Sequence, residues 1–190
     1  MRYREELLAD VDFHRYCQEA LDAHHWQALV DPEYRWGHRL AHYLLIRATK
    51  PGFVVEAGVR HGFGAAMILR VLERDAFLWR LFPGYRGEVV RGDSEQVLAQ
   101  LEHKIDLFLH ETTTDPGHVA RQLAALQPHL TARSIIAAPW HLQTFLDYAE
   151  SQGLAVITHH LTPFDHWLSG TNMMFLFRQK SAQQMLGEAA

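Results

Sequence analysis

The chain has 190 residues, 48% of them hydrophobic and 21% charged, a balance that supports one folded domain with a buried core and leaves little room for two. Its net charge of -4 offers no broad attraction to phosphate backbones or anionic lipid, so nucleic acid is not an expected partner. Cys17 is the one cysteine, which excludes an intramolecular disulfide, a thiolate metal cluster and a CxxC redox pair, and fits a reducing cytoplasm.

The opening MRYREELLADVDFHRY mixes charged with apolar residues and lacks the apolar run of a signal peptide. No later stretch reaches the roughly 18 apolar residues of a membrane span. Residues 1–50 read as helix. Leu7, Leu8, Val11 and Phe13 lead to Tyr16, Ala20 and Leu21 at helical spacing, and a second helix follows Asp31-Pro32 through Trp36, Leu40, Tyr43, Leu44 and Ile46. Lys50-Pro51-Gly52 stops it. This extension is expected to act as a lid or a dimer contact.

From residue 51 the pattern changes to short apolar runs separated by helices. Strands are expected at 53–57, 77–81, 88–90, 105–109, 134–138, 155–159 and 173–177, with helices near 64–73, 95–102, 116–129 and 140–152. Several of the runs are almost wholly apolar, as strands covered on both faces must be. The alternation predicts a doubly wound α/β fold with a mainly parallel sheet over 51–180. The last two strands, joined through Thr162-Pro163-Phe164-Asp165, fit an antiparallel pair, and 181–190 reads as a flexible tail.

The most informative stretch is Val54-Val55-Glu56-Ala57-Gly58-Val59-Arg60-His61-Gly62-Phe63-Gly64. Glycines at 58 and 62 permit positive φ and close approach of a ligand, and the following helix presents unpaired N–H groups. The order E-x-G-x-x-x-G-x-G differs from the dinucleotide fingerprint, and Glu56 would repel a pyrophosphate. A cofactor with an ammonium group and a ribose suits it better. The alternative is a tight strand-to-helix turn with no ligand.

These residues resemble motif I of the class I S-adenosylmethionine (SAM)-dependent methyltransferases, in the branch of cephalosporin-hydroxylase-like and macrocin-type O-methyltransferases. Phe77-Leu78-Trp79 resembles that branch's second strand, Gly92-Asp93-Ser94 with Val97-Leu98 its motif after the third, and Ile105 to Glu111 its fourth. The resemblance implies a Rossmann-like, seven-stranded, mostly parallel sheet behind N-terminal helices. It further implies that Glu56, Gly58, Arg60, His61 and Gly62 lie near the methionine and ribose of SAM, with Asp93 and Ser94 beside the adenine.

The chain departs from the family pattern in three places. Phe82, in Leu81-Phe82-Pro83, stands where the family has an acid for the ribose hydroxyls, and the segment from there to Gly92 is short. The ends of the fourth and fifth strands read His110-Glu111-Thr112-Thr113-Thr114-Asp115 and Ala138-Pro139-Trp140-His141, poor in the hard oxygen ligands that Mg²⁺ needs. A divalent metal is therefore not expected.

The carboxyl ends of strands form the ligand crevice in open α/β sheets, which singles out His110, Glu111 and His141 as catalytic candidates. Either imidazole could take a proton from a substrate hydroxyl, with Glu111 orienting it or holding a substrate amine. The same three residue types also match the facial triad of non-haem iron proteins, and both histidines could instead be structural. Among the 14 histidines, the adjacent pairs His24-His25 and His159-His160 point different ways and suit the surface. Tyr34, Trp36, Phe164, His166 and Trp167 are aromatic-zone residues near flanking loops, suited to substrate, core or dimer contacts. The leading expectation is a SAM-dependent methyltransferase that modifies oxygen on a small molecule by general base catalysis. A non-catalytic binding module and a SAM-independent enzyme on the same fold are the competitors.

Overall fold

Alternation of apolar residues decides how the sheet is covered. In the strand β1 (Val54–Ala57), in β2 (Ile105–His110), in β3 (Leu130–Ala138) and in the terminal pair β4 (Ala155–His160) and β5 (Asn172–Phe177), successive side chains face opposite ways. Val54, Leu107, Leu109, Ile135, Ala137, Met173 and Phe177 pack on one face, while Val55, Phe108, Ile136, Ala138, Met174 and Leu176 pack on the other. Both faces are apolar, so both need helices. The computed structural model describes residues 2–23, 38–59, 62–74, 90–138, 142–160 and 172–178.

The first face is covered from α1 (Arg2–Leu8), α2 (Val11–Ala23), α3 (His38–Thr49) and α4 (Phe63–Arg74), through Leu7, Phe13, Cys17, Tyr43, Ile46, Met67 and Val71. The second is covered from α5 (Ser94–Ala99), α6 (Pro116–Leu126) and α7 (Gln143–Ser151), through Leu98, Val119, Leu123, Leu126, Phe145 and Ala149. A 3₁₀ turn at Gln127–His129 joins α6 to β3.

The sheet order is β1-β2-β3-β5-β4, with β1, β2 and β3 parallel and β5 antiparallel to both of its neighbours. The expected antiparallel pair at the end of the chain is therefore present, with the final strand inserted between β3 and β4. Five strands stand among the described residues, against seven expected. The strand expected at 77–81 lies outside them, as do 88 and 89 of the one expected at 88–90, while Val90 belongs to no strand.

Several boundaries shift for physical reasons. The first helical run divides at Ala9–Asp10, because Asp10 leaves the helix and its Oδ1 accepts a hydrogen bond from the Phe13 backbone N–H at 3.2 Å. Lys50 takes φ 48° and donates its N–H to the Ile46 carbonyl at 2.9 Å, which ends α3 before Pro51. Strand β3 begins four residues before the apolar run at Ser134. There the register with β2 shifts, and Ser134 Oγ donates to the Ile105 carbonyl while accepting from the Thr131 N–H. The start expected for α3 at residue 31 and the tail 181–190 lie outside the described residues.

Candidate functional site

The parallel register brings two strand ends together. Ala57 pairs with His110, and the Glu111 N–H donates to the Ala57 carbonyl at 2.8 Å, so Gly58 and Glu111 emerge side by side. Gly58 has φ 95°, and a Cβ there would overlap the backbone carbonyl of Glu111. Glycine is required at 58 both by conformation and by contact between the two chain segments. Gly62 has φ 81°, no atom of the described residues lies within 4 Å of its would-be Cβ, and its carbonyl accepts from Ala66 N–H at 2.8 Å as α4 begins.

Glu56 points from β1 into the first turn of α4, where a Cβ on Gly64 would collide with its carboxylate. The third glycine of the motif thus makes room for the acid, and the positive end of α4 favours the charge there. Beyond β2, Glu111 lies against His42 of α3, with Nε2 to Oε1 3.6 Å, and the imidazole is fully buried. Asp115, the next acid, caps α6 by accepting from the His118 backbone N–H at 2.7 Å.

His110 is held inside the fold. Its ring is 0% exposed and packs edge-on to Phe145 with centroids 5.1 Å apart. Nδ1 lies 2.6 Å from Gln122 Oε1, and Nε2 lies 2.9 Å from the Thr113 carbonyl. Burial pushes its pKa below the ordinary 6.5, partly offset by the bonds to Gln122 and Thr113. With both ring nitrogens engaged within the chain, no lone pair is left for a substrate proton. In this geometry His110 ties β2 to α6.

The tie continues to α5. Gln122 Nε2 lies 2.8 Å from Ser94 Oγ, Ser94 Oγ lies 3.4 Å from His118 Nε2, and His118 Nδ1 lies 3.1 Å from Glu95 Oε1. Arg121 adds contacts to both Glu95 oxygens at 3.0 and 2.9 Å. Asp93 caps α5, its Oδ1 accepting from Glu95 N–H at 2.9 Å, while the residue itself stays exposed. Asp93 and Ser94 thus sit at the first turn of a helix joined by hydrogen bonds to the end of β2.

Of the sequence candidates, Glu56, Gly58, Gly62 and Glu111 are brought together around the β1 and β2 ends, and Asp93, Ser94 and His110 belong to the adjoining network. Arg60, His61, Phe82 and His141 lie outside the described residues, as do Tyr34, Trp36, Phe164, His166 and Trp167. Sequence reasoning passed over His42, His118 and Gln122. Gln122 had a readable signal, since it shares the buried stripe of Val119, Leu123 and Leu126 on α6, where an amide needs partners. His42 lies between buried Ala41 and Tyr43, and only the packing of α3 on the β2 end distinguishes it.

No protein-family model and no curated protein matches the chain. Among solved structures, it is similar to the O-methyltransferase TomG of Streptomyces achromogenes, bound to SAM, at TM-score 0.60 and 10% identity over 90% of this chain and 92% of that one. It is similar to an O-methyltransferase of Bacillus cereus in complex with S-adenosylhomocysteine (SAH), at TM-score 0.61 and 10% identity over 93% and 96%. The SAH-bound methyltransferase PaMTH1 of Podospora anserina aligns at TM-score 0.50 and 17% identity over 88% and 94%.

The chain has the fold of a methyltransferase. At such low identity the fold is what these structures share, and the chemistry must be argued from the residues of this methyltransferase-like chain. Among the described residues, no three His, Cys, Asp or Glu side chains gather as a metal site, and no helix is long and apolar enough to cross a membrane.

Proposed function

We propose that the chain binds SAM at the carboxyl edge of β1 and β2 and transfers its methyl group to an oxygen of a small molecule in the cytoplasm, without a divalent metal. The observation that carries this reading is the pair of positive-φ glycines at that edge, Gly58 and Gly62, flanked by the acids Glu56 and Glu111. The space over Gly62 among the described residues suits a close-lying ligand, and nearby carboxylates suit one that carries an ammonium and a sulfonium. When bound, SAM supplies an activated methyl on sulfur.

The chain's own residues divide the remaining work. Gly58 and Gly62 form the cradle, with Glu56 orienting the cationic end, and Arg60 and His61, which stand between the two glycines in sequence, are the proposed further contacts of the cofactor. Asp93 and Ser94 at the start of α5 take the adenosine end, and Phe82 offers an apolar contact where an acid would grip ribose. Glu111, backed by His42, orients the substrate. The base is assigned to His141, three residues beyond the end of β3, because His110 has both nitrogens occupied. Holding the substrate oxygen in line with the methyl group supplies most of what such a transfer requires.

The sequestration of His110 also favours a second reading, a module that binds SAM or SAH but transfers no methyl group. Both readings require the cradle. In the purified protein, Gly62→Arg should abolish SAH binding measured by calorimetry, because the added side chain enters the space proposed for the ligand, and circular dichroism with the urea midpoint separates that loss from the backbone strain that a side chain at φ 81° adds. Unchanged affinity in that variant would remove the cofactor from this edge.

A further inference from the structure

The sheet edge opposite the glycines holds a cavity of about 160 Å³, beside the end of α7, where β3 begins and β5 ends. Gly58 and Glu111 stand at the carboxyl ends of β1 and β2, so the length of the parallel strands separates the two places. The lining follows from alternation along the strands. Leu176 of β5 faces α7, Phe177 faces the other way, and Arg178, one residue past the strand, returns to the α7 side. Leu130 and Ile136 of β3 and Leu154 before β4 complete the aliphatic part of the wall.

Arg178 is the one charged side chain in the lining, and it has no ion pair among the described residues. Tyr148, on the same wall, does not neutralise it. Burial raises the phenol's pKa more than Arg178 lowers it, so the side chain stays uncharged, and its hydroxyl has no hydrogen-bond partner among the described residues. The last carbonyls of α7 are engaged elsewhere, those of Tyr148, Ala149 and Glu150 accepting from the N–H groups of Gln152, Leu154 and Gly153 at 3.0, 2.8 and 3.1 Å. Gln127 Nε2 donates to Gln152 Oε1 at 2.8 Å, which leaves one hydrogen of that amide for another acceptor. A cavity of roughly 150 Å³ is enough for a benzene ring. Aliphatic side chains beside an uncompensated cation therefore match a ligand that joins a compact apolar body to one negative charge.

We propose that this cavity is a second ligand site, taking a small organic carboxylate whose apolar body lies against Leu130, Ile136, Leu154 and Leu176 while Arg178 and the Gln127 amide hold its charge. The site does not depend on SAM binding, and its lining shares no residue with the Gly58 edge. Because Arg178 is exposed, its attraction for the carboxylate is screened by solvent and salt. The apolar contacts are not screened, so charge and body contribute separately and can be removed one at a time.

Benzoate is the probe, with benzyl alcohol as its uncharged counterpart and acetate as the charge without the ring. In ¹H–¹⁵N spectra of the full chain, benzoate at up to about 10 mM should shift the amides of Thr131, Gln152, Leu154 and Arg178. Arg178→Gln should weaken benzoate about two- to fivefold and leave benzyl alcohol unchanged, and raising NaCl from about 0.05 to about 0.5 M should act in the same direction. Acetate should bind at least about tenfold more weakly than benzoate, because it lacks the body that the aliphatic wall holds. Arg178 is exposed, so its replacement leaves the fold intact, as an unmoved remainder of the spectrum would show. Absence of shifts at those four amides overturns the proposal, as do shifts confined to the edge bearing Gly58 and Glu111. Equal binding of benzoate and benzyl alcohol, or of benzoate to the wild type and Arg178→Gln, overturns a carboxylate as the ligand.

Discussion

His110 ends β2 as a residue that sequence position nominates for catalysis, yet its 0% exposure and two close partners make it part of the scaffold. The consequence is measurable as a pH effect on stability. Burial holds the folded pKa below 6.5, so the unfolded chain binds more protons as the pH falls through that value. The stabilisation from a neutral, buried His110 is thus present above about pH 6.5 and is lost progressively below it, levelling off once the folded residue is also protonated. Urea midpoints of the wild type and of His110→Gln should converge as the pH is lowered from about 7.5 to about 5. A constant difference between them across that range would show that His110 is not held neutral by the fold. What the sequence could convey was the strand end. It could not convey that Gln122, a dozen residues later, would return to occupy the ring, because that depends on how α6 docks.

Elements were legible where the apolar pattern was strong. The runs at 53–57, 105–109, 155–159 and 173–177 became strands within a residue or so at each end, and α4 follows the stripe expected over 64–73. Boundaries set by a single polar contact were not legible, as at Asp10. That residue caps α2 and also meets Arg70 of α4 through two contacts, Nε to Oδ2 at 2.8 Å and Nη2 to Oδ1 at 2.9 Å, with Asp10 3% and Arg70 27% exposed. It therefore fastens the N-terminal helices to the first crossover helix. Loss of both cap and pair in Asp10→Ala should cost about 2–3 kcal/mol in urea unfolding, and Asp10→Asn about 1 kcal/mol less, because an amide oxygen can still cap. Equal costs would mean that the cap contributes nothing. The helix expected over 116–129 ends as α6 at Leu126, with Pro128 in the 3₁₀ turn that follows, since proline lacks the N–H an α-helix would need.

At the scale of the whole molecule, the doubly wound plan followed from alternation: strands apolar on both sides demand helices on both faces, and the parallel run of β1, β2 and β3 then places their carboxyl ends on one edge. The helices before residue 50 prove to share a core with β2, β3 and β5 through Leu7, Phe13, Tyr43 and Ile46, a role that helical spacing alone did not reveal. The glycine cradle was readable because strand, glycines and helix are contiguous in sequence. The His42–Glu111 contact and the Gln122–Ser94 tie were not, because their partners are distant in the chain and meet only after the sheet has formed. A SAM-type cofactor is proposed to lie at the edge bearing Gly58 and Gly62. A crystal structure of the protein grown with saturating SAH tests it most directly. The nucleoside is expected along the ends of β1 and β2, with its methionine end by Gly58 and Glu56 and its adenosine end by Ser94. An intact sheet with that edge empty, or with SAH bound elsewhere, would contradict it.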